Sequence, residues 1–251
     1  MNNTAPNLRL LHLTFDLPLY PRQLPQWRGA FNEMAGWENS LLHNHKGAKE
    51  EYHYRYPLVH YRMWHGKAAI TAINEGIEAV QEALAANSWD INWEGEPKTL
   101  QVEGLNMKEH SLRMLPHPKT YKLFKWLALN QENYERWQRE KSLVQRAALL
   151  ENILAGHLLG FCTAMSYRLP ERLEVNLQEI QFMKKVRLHG NPMIAFNIRY
   201  DANLLLPSGI ALGRGVSTGF GWQVPERVGR YGKAQEEKVG VEQKQDEVSV
   251  E

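Results

Sequence analysis

The chain has 251 residues, of which 43% are hydrophobic, enough for one large core or two modest cores of about 100 residues each. Its formal net charge is +2, but residues 233–251 carry three lysines against six acidic residues, which leaves +5 for the rest of the chain. This excess is compatible with a polyanionic partner, although folded domains also reach it by chance. The single cysteine, Cys162, excludes an internal disulfide, and its apolar neighbours indicate a packed thiol in a reducing compartment.

The ends of the chain and its apolar segments predict where the protein resides. The first ten residues lack the basic start and apolar run of a signal peptide, and the sequence suggests no apolar segment near the roughly 20 residues that span a bilayer. We therefore expect a soluble cytoplasmic protein with no membrane partner. Residues 233–251 contain no aromatic side chain, and their charge and composition predict a disordered tail.

The first half of the chain alternates strand and helix patterns. Apolar residues at every second position predict a strand over 8–15, and three- and four-residue spacing behind Pro25 predicts a helix. A hairpin over 52–73 precedes a helix over 75–86, and an extended stretch follows over 99–115. This β-α-β-β-α-β order is typical of ferredoxin-like domains, which include RNA-recognition domains.

The second half reads as a looser copy of the first. A strand is predicted over 121–129, a long apolar helix over 143–165, and a hairpin with its turn at Gly190 and Asn191. Pro116-His117-Pro118 predicts the linker, because both prolines disfavour regular pairing or helix there. We therefore predict an α+β protein of two tandem ferredoxin-like (RRM-like) domains, each an antiparallel sheet with helices on one face. The domains cover 1–116 and 119–232, followed by the tail.

The hairpin of the second domain predicts a basic sheet face. Alternation places Ile180, Phe182, Val186 and Leu188 toward the core and Gln181, Lys185, Arg187 and His189 on the opposite side. Such a face is either an ordinary solvated surface or an RNA-binding surface. Lys185 and Arg187 are the predicted RNA contacts.

A glycine-rich stretch over 209–221 is the most specific feature of the sequence. It holds five glycines within thirteen residues, and glycine lets backbone amides approach an anion closely. A dinucleotide-binding loop would follow an early strand, and an ATPase loop would carry a lysine, so neither pattern fits. The predicted anion contacts are Gly213, Arg214, Gly215, Ser217, Gly219 and Gly221.

At these residues the chain resembles a known family. The pattern GxGxxxGFG over 213–221 is similar to the signature of the repeat-associated (RAMP) CRISPR proteins. The segments YPLVHY (56–61), GKAAI (66–70) and INEG (73–76) resemble the hairpin and helix of one subfamily of CRISPR endoribonucleases. The resemblance implies two ferredoxin-like domains, precursor CRISPR RNA as substrate, and mature guide RNA as product. It also implies cleavage inside the repeat by 2′-hydroxyl attack, without a metal or another cofactor. A homodimer and membership of a CRISPR effector complex stay open.

The resemblance also implies a catalytic site at His43, His45 and Tyr52. Residues two apart in an extended segment project to the same side, and an ordinary imidazole pKa of about 6.5 allows one neutral and one protonated histidine. His45 is favoured as the base, His43 as the acid or a phosphate ligand, and Tyr52 as an orienting group or proton donor. Lys46 and Lys49 are expected to steady the phosphate.

Three other interpretations stay open at this point. His43, His45, His53 and His60 are close enough in sequence for a zinc site, although cysteine or acidic ligands normally contribute to one. A RAMP-type subunit that binds guide RNA without cutting it would need the same loop but no histidine pair. An unrelated enzyme could use the glycine-rich stretch to bind a phosphorylated small molecule.

Overall fold

A computed structural model describes residues 5–36, 40–43, 45–46, 51–52, 56–86 and 88–226. Lys49 and the predicted tail over 233–251 lie outside the described residues. The first half comprises β1 (Asn7–Pro18), α1 (Leu24–Ala35), α2 (Ser40–His43), β2 (His45–Lys46), β3 (Glu51–Tyr52), β4 (Val59–Trp64), β5 (Lys67–Ile73), α3 (Glu75–Ala86), β6 (Asp90–Trp93), β7 (Glu96–Thr99) and β8 (Val102–Ser111). The second half comprises β9 (Arg113–Trp126), α4 (Gln131–Arg139), α5 (Leu143–Ala164), β10 (Val175–Leu188), β11 (Asn191–Leu205) and β12 (Trp222–Pro225).

The first domain is an antiparallel sheet in the order β4-β5-β1-β8. Alternation along β1 divides its side chains between two cores. Leu11, Leu13 and Phe15 pack in the same core as residues of α1 and α3, whereas Leu8 and Leu10 pack in the core that contains the second domain. The sheet thus carries helices on one face and the neighbouring domain on the other. Strand order and helix placement confirm the predicted ferredoxin-like fold of this half.

The second domain repeats this arrangement with the sheet order β10-β11-β9-β12. Buried leucines of α5 pack toward the sheet, and burial of each contributes roughly 1.5–3 kcal/mol. Ser142 caps this helix by accepting a hydrogen bond from the amide of Val144 (3.2 Å). Residues 206–221, which hold the glycine-rich stretch, replace the second helix of the ferredoxin order between β11 and β12.

The chain passes from one sheet to the other at Leu112, which lies between β8 and β9. Pro116 and Pro118, which predicted a linker, instead lie inside β9. The register of β9 against β11 shifts there, from Lys119 opposite Ala202 to Met114 opposite Leu204. The strand absorbs the prolines in this irregularity, because a proline donates no ladder hydrogen bond.

The predicted faces of β10 are wrong beyond its middle. The register against β11 shifts twice, between Leu177 and Glu179 and between Ile180 and Phe182. Each extra residue exchanges the two faces of a strand. Phe182 is therefore opposite Asn197, and Lys185 is opposite Ile194, the reverse of simple alternation. Phe182 and its neighbour Met183 are both exposed.

Helix α5 also differs from the expectation that no segment is long and apolar enough to span a membrane. It has 22 residues and a mean hydropathy of 1.3 in its most apolar window. Length and composition alone therefore place it within the range of membrane-spanning helices. In the fold, Leu150, Leu154 and Leu158 are buried against the second sheet, as in the core helix of a globular domain.

Candidate active site and RNA interface

The three predicted catalytic residues lie in a short helix and a two-stranded hairpin between α1 and β4. His43 is the last residue of α2, and His45 is the first residue of β2. β2 pairs antiparallel with β3, which sets His45 opposite Tyr52 and Lys46 opposite Glu51. Opposed residues of an antiparallel pair have Cα atoms about 4.5–5.5 Å apart. The backbone therefore brings positions 45 and 52 together.

Tyr56 connects this hairpin to the glycine-rich stretch. Its hydroxyl donates a hydrogen bond to the carbonyl of Ala211 (2.8 Å) and accepts one from the amide of Ala211 (3.4 Å). Burial raises the pKa of Tyr56 well above its ordinary value, so the hydroxyl stays a neutral donor. Because four residues extend over at most about 14 Å, the Cα of Tyr52 lies within about 14 Å of the Cα of Tyr56. Tyr56, four residues beyond Tyr52, is thus fixed to residue 211 of the glycine-rich stretch.

The glycine-rich stretch uses many of its backbone amides inside the protein. Six of them donate to protein carbonyls: Gly209 to Gln223, Leu212 to Gly221, Arg214 to Leu127, Thr218 and Phe220 to Gly215, and Gly221 to Lys125. Of the predicted anion contacts, Arg214 and Gly221 therefore use their amides inside the protein. The stretch also contacts the first domain, because the amide of Tyr61 in β4 donates a hydrogen bond to the carbonyl of Ser217 (3.2 Å).

Close packing explains why glycines occupy this stretch. At Gly221 the backbone has a φ of +71°, and an added Cβ would lie 1.9 Å from the carbonyl oxygen of Leu212. At Gly219 an added Cβ would lie 2.6 Å from a methyl group of Leu24 in α1. These glycines allow the second domain to approach its own backbone and the first domain.

The cationic residues predicted to bind RNA are exposed. Lys185, Arg187 and Arg214 all have exposed side chains. Leu188, the last residue of β10, would contact a Cβ added at Gly215 at 3.2 Å, so the end of β10 lies against the glycine-rich stretch. Arg187 and Arg214 are the exposed chain neighbours of these two packed residues.

A buried arginine at the domain interface was not predicted from the sequence. Arg62 in β4 is 8% exposed. Its Nη1 donates to the carbonyl of Gly209 (3.0 Å) and the hydroxyl of Thr71 (3.2 Å), and its guanidinium lies 4.2 Å from the ring centroid of Trp222. Burial lowers the pKa of Arg62 to about 9, which leaves it charged at neutral pH. The sequence signal was its alternation with His60 and Trp64 on one face of β4.

Three histidines, one buried and two half-buried, are neutral at physiological pH. Burial, followed by the charge of Arg62, lowers the pKa of His60 to about 3 and that of His12 to about 4. Burial, followed by Arg214, lowers the pKa of His157 to about 4. At pH 7 at most about one in a thousand of these imidazoles is protonated. None of the three can serve as a resident acid at that pH.

His60, one of the four histidines of the zinc interpretation, packs against neighbouring groups of the protein. Its Nε2 lies 2.9 Å from the carbonyl of Pro57, and its ring packs edge-on against Tyr56. Within the residues that the structure describes, no three His, Cys, Asp or Glu side chains are grouped to hold a metal ion.

Two family models match consecutive parts of the chain. The Cas6b N-terminal domain matches residues 6–111, and the Cas6b C-terminal domain matches residues 114–225. Together they cover both sheets and meet where the chain changes sheet at Leu112. The chain belongs to the Cas6b family. The resemblance to RAMP-type CRISPR endoribonucleases is thereby confirmed.

Solved structures of the Cas6b family share this fold. A Cas6b crystal structure superposes with a TM-score of 0.75 and 21% identity, covering 88% of this chain and all of that one. A structure of the CRISPR RNA-processing endoribonuclease Cas6b gives a TM-score of 0.66 with the same identity and coverage. An uncharacterized protein of Methanocaldococcus jannaschii is 34% identical over 96 residues, which make up 38% of this chain and 64% of that protein. The chain thus matches less than two thirds of that relative.

Proposed function

We propose that this protein is an endoribonuclease that cleaves precursor CRISPR RNA within the repeat. Membership of the Cas6b family carries the proposal, and one of the solved Cas6b structures is that of a CRISPR RNA-processing endoribonuclease. The pairing of His45 with Tyr52 supports it, because it unites two of the three expected catalytic positions. His12, His60 and His157 are neutral at pH 7, so none of them holds a proton to donate as a general acid.

The proposed reaction needs no metal and consumes no water in its first step. A histidine base removes the proton of the 2′-hydroxyl, and the 2′-oxygen attacks the adjacent phosphorus. The bond to the 5′-oxygen breaks, and that oxygen receives a proton from the acid. The products are a 2′,3′-cyclic phosphate, which can open to a 3′-phosphate, and a 5′-hydroxyl. In this scheme His45 is the base and His43 is the acid or a phosphate ligand. Tyr52 is an orienting group or a proton donor.

Cationic residues are assigned to RNA binding and to charge stabilisation. Lys46 and Lys49 would stabilise the negative charge that develops at the phosphate. Arg214, Lys185 and Arg187 would bind the RNA backbone, and the exposure of their side chains supports that role. A cytoplasmic location, a homodimer and delivery of the product to an effector complex stay predictions.

Single-turnover cleavage of the repeat RNA by matched variants tests the proposal. Loss of one general acid or base typically lowers a reaction rate about 10²- to 10⁴-fold. We therefore expect His45→Ala and His43→Ala each to lower the cleavage rate by a factor in that range, without losing RNA affinity. His60→Phe is the matched control, because it also removes a histidine of the first domain but should leave the cleavage rate unchanged. If the double variant His43→Ala/His45→Ala cleaved the RNA as fast as wild type, the assignment of these two histidines as catalytic would be refuted.

A non-cleaving RNA-binding subunit is the alternative function. It predicts that the wild-type protein binds repeat RNA tightly and produces no cyclic-phosphate end at any enzyme concentration. Detection of a 2′,3′-cyclic phosphate on the product, absent with the His43→Ala/His45→Ala double variant, would exclude it.

A further inference from the structure

Arg62 is a buried cation whose charge the described protein leaves unpaired. It is 8% exposed, and within the described residues it forms no salt bridge with a carboxylate. The two titratable side chains nearest to it on this face, His12 and His60, are neutral. An isolated buried charge is costly unless hydrogen bonds or an opposite charge compensate it. The surroundings of Arg62 supply only partial compensation.

The donors around Arg62 outnumber their acceptors in the described part of the chain. Nη1 makes both of its hydrogen bonds, to Thr71 and Gly209, whereas Nε and Nη2 donate to no described residue. The indole Nε1 of Trp222, whose ring lies against the guanidinium, is buried and also lacks a described acceptor. Guanidinium and indole N–H groups are donors only. The site therefore lacks an acceptor, and a negatively charged one would satisfy it best.

An aromatic surface adjoins this site. Trp64 lies two residues beyond Arg62 on the same face of β4 and is 37% exposed. Its ring centroid is 5.4 Å from that of Trp222 and 4.5 Å from that of His65, and Arg62 lies 5.9 Å from it. A cation beside an exposed aromatic ring is the usual means of holding a single-stranded nucleotide, by its phosphate and its base.

We propose that Arg62, Trp64 and Trp222 form an RNA-binding site at the interface of the two domains. Arg62 binds a backbone phosphate of the RNA, and Trp64 stacks on the base of an adjacent unpaired nucleotide. The proposal rests on the proposed function for the identity of the ligand. Because Arg62 also holds Gly209 and Trp222, RNA bound here contacts both domains and fixes the glycine-rich stretch against β4.

Salt-dependent binding of a repeat RNA with a 2′-deoxy group at the cleavage position tests the phosphate contact. Each phosphate neutralised by an arginine contributes about 0.7–0.9 to the slope of log affinity against log salt concentration. Arg62→Met should lower the slope by about this amount. Arg9→Met is the matched control, because it removes the same charge from an exposed residue that pairs with Glu78. An unchanged slope in Arg62→Met, with normal folding, would overturn the phosphate contact.

Replacement of the exposed tryptophan tests the stacking contact and does not depend on the buried arginine. Trp64→Leu should weaken RNA binding roughly 5- to 150-fold, the equivalent of about 1–3 kcal/mol for one stacked base. Trp64→Phe keeps an aromatic face and should restore most of the affinity. Equal affinity of Trp64→Leu and wild type would overturn the site, even if Arg62→Met does not fold. If the wild-type protein binds no repeat RNA, the proposed function itself is wrong. Failure of the proposed function is thereby distinguished from failure of this RNA-binding site.

Discussion

Replacement of Gly221 by alanine should destabilise the protein far more than the same change at Gly66. The two residues have nearly equal positive φ angles, +71° and +73°. An added Cβ at Gly66 has nothing within 4 Å, whereas at Gly221 it would lie 1.9 Å from the carbonyl oxygen of Leu212. The left-handed conformation alone costs a non-glycine residue roughly 1–2 kcal/mol. Gly66→Ala should therefore cost about that amount and no more.

Gly221→Ala adds a backbone collision to the same conformational cost. The obstructing atom belongs to the main chain and cannot move as a side chain does, so the loop must shift. A shift would weaken the hydrogen bonds from Leu212 to Gly221 (2.7 Å) and from Gly221 to Lys125 (3.1 Å). Two lost backbone hydrogen bonds add roughly 1–3 kcal/mol. We expect a total of about 2–5 kcal/mol for this variant.

Urea unfolding of both variants at pH 7 measures the difference in unfolding free energy. We expect the unfolding free energy of Gly221→Ala to be lower than that of Gly66→Ala by at least about 1 kcal/mol, the lower bound for the lost hydrogen bonds. Equal destabilisation of the two variants would refute the packed loop. It would restore the interpretation that the glycines serve mainly to expose amides to an anion.

Three further predictions test separate parts of the structure. Two variants, Lys185→Ala/Arg187→Ala and Arg214→Ala, should weaken RNA binding and lower its salt dependence. The single-turnover cleavage rate at saturating RNA should stay unchanged. A lower rate at constant affinity would contradict the assignment of these residues to RNA binding. Stability should fall as pH decreases from about 6.5, because the folded pKa of His60 is about 3 and the unfolded chain binds more protons. Between pH 7 and 5, the unfolding free energy of His60→Phe should fall by about 2 kcal/mol less than that of wild type. An equal fall in wild type and the variant would show that His60 is protonated in the folded protein. Tyr56→Phe removes a donor to Ala211 and should cost roughly 1–3 kcal/mol by thermal or urea unfolding, whereas no change would show that the Ala211 carbonyl is satisfied without it.

Local patterns predicted the first domain well because its elements follow simple periodicities. The helix predicted over 75–86 is α3 at the same bounds, and the alternation of Leu11, Leu13 and Phe15 belongs to a buried strand. The long helix over 143–165 is α5 to within one residue. Each of these segments buries a run of apolar side chains, which in α5 begins only at Leu149, so the spacing of apolar residues carries the structural information.

Other features depend on pairing that a single strand does not reveal. The register shift between Ile180 and Phe182 exchanges the faces of β10 beyond Ile180, and the irregularity at Pro116 and Pro118 keeps them inside β9. The role of Arg62 depends on Trp222 and Gly209, which are 160 and 147 residues away in the chain. The resemblance of short motifs to a family located the hairpin of His45 and Tyr52, although neither periodicity nor composition predicted their pairing.

The most direct test of the proposed activity uses one protein and two RNAs. The purified protein is incubated in EDTA with the CRISPR repeat RNA of its own genome, and with the same RNA carrying a 2′-deoxy nucleotide at the cleavage position. We expect cleavage of the unmodified RNA alone, with equal binding of both RNAs. Cleavage of the 2′-deoxy RNA would contradict attack by the 2′-hydroxyl. Cleavage that EDTA abolishes and added metal restores would contradict the metal-independent mechanism.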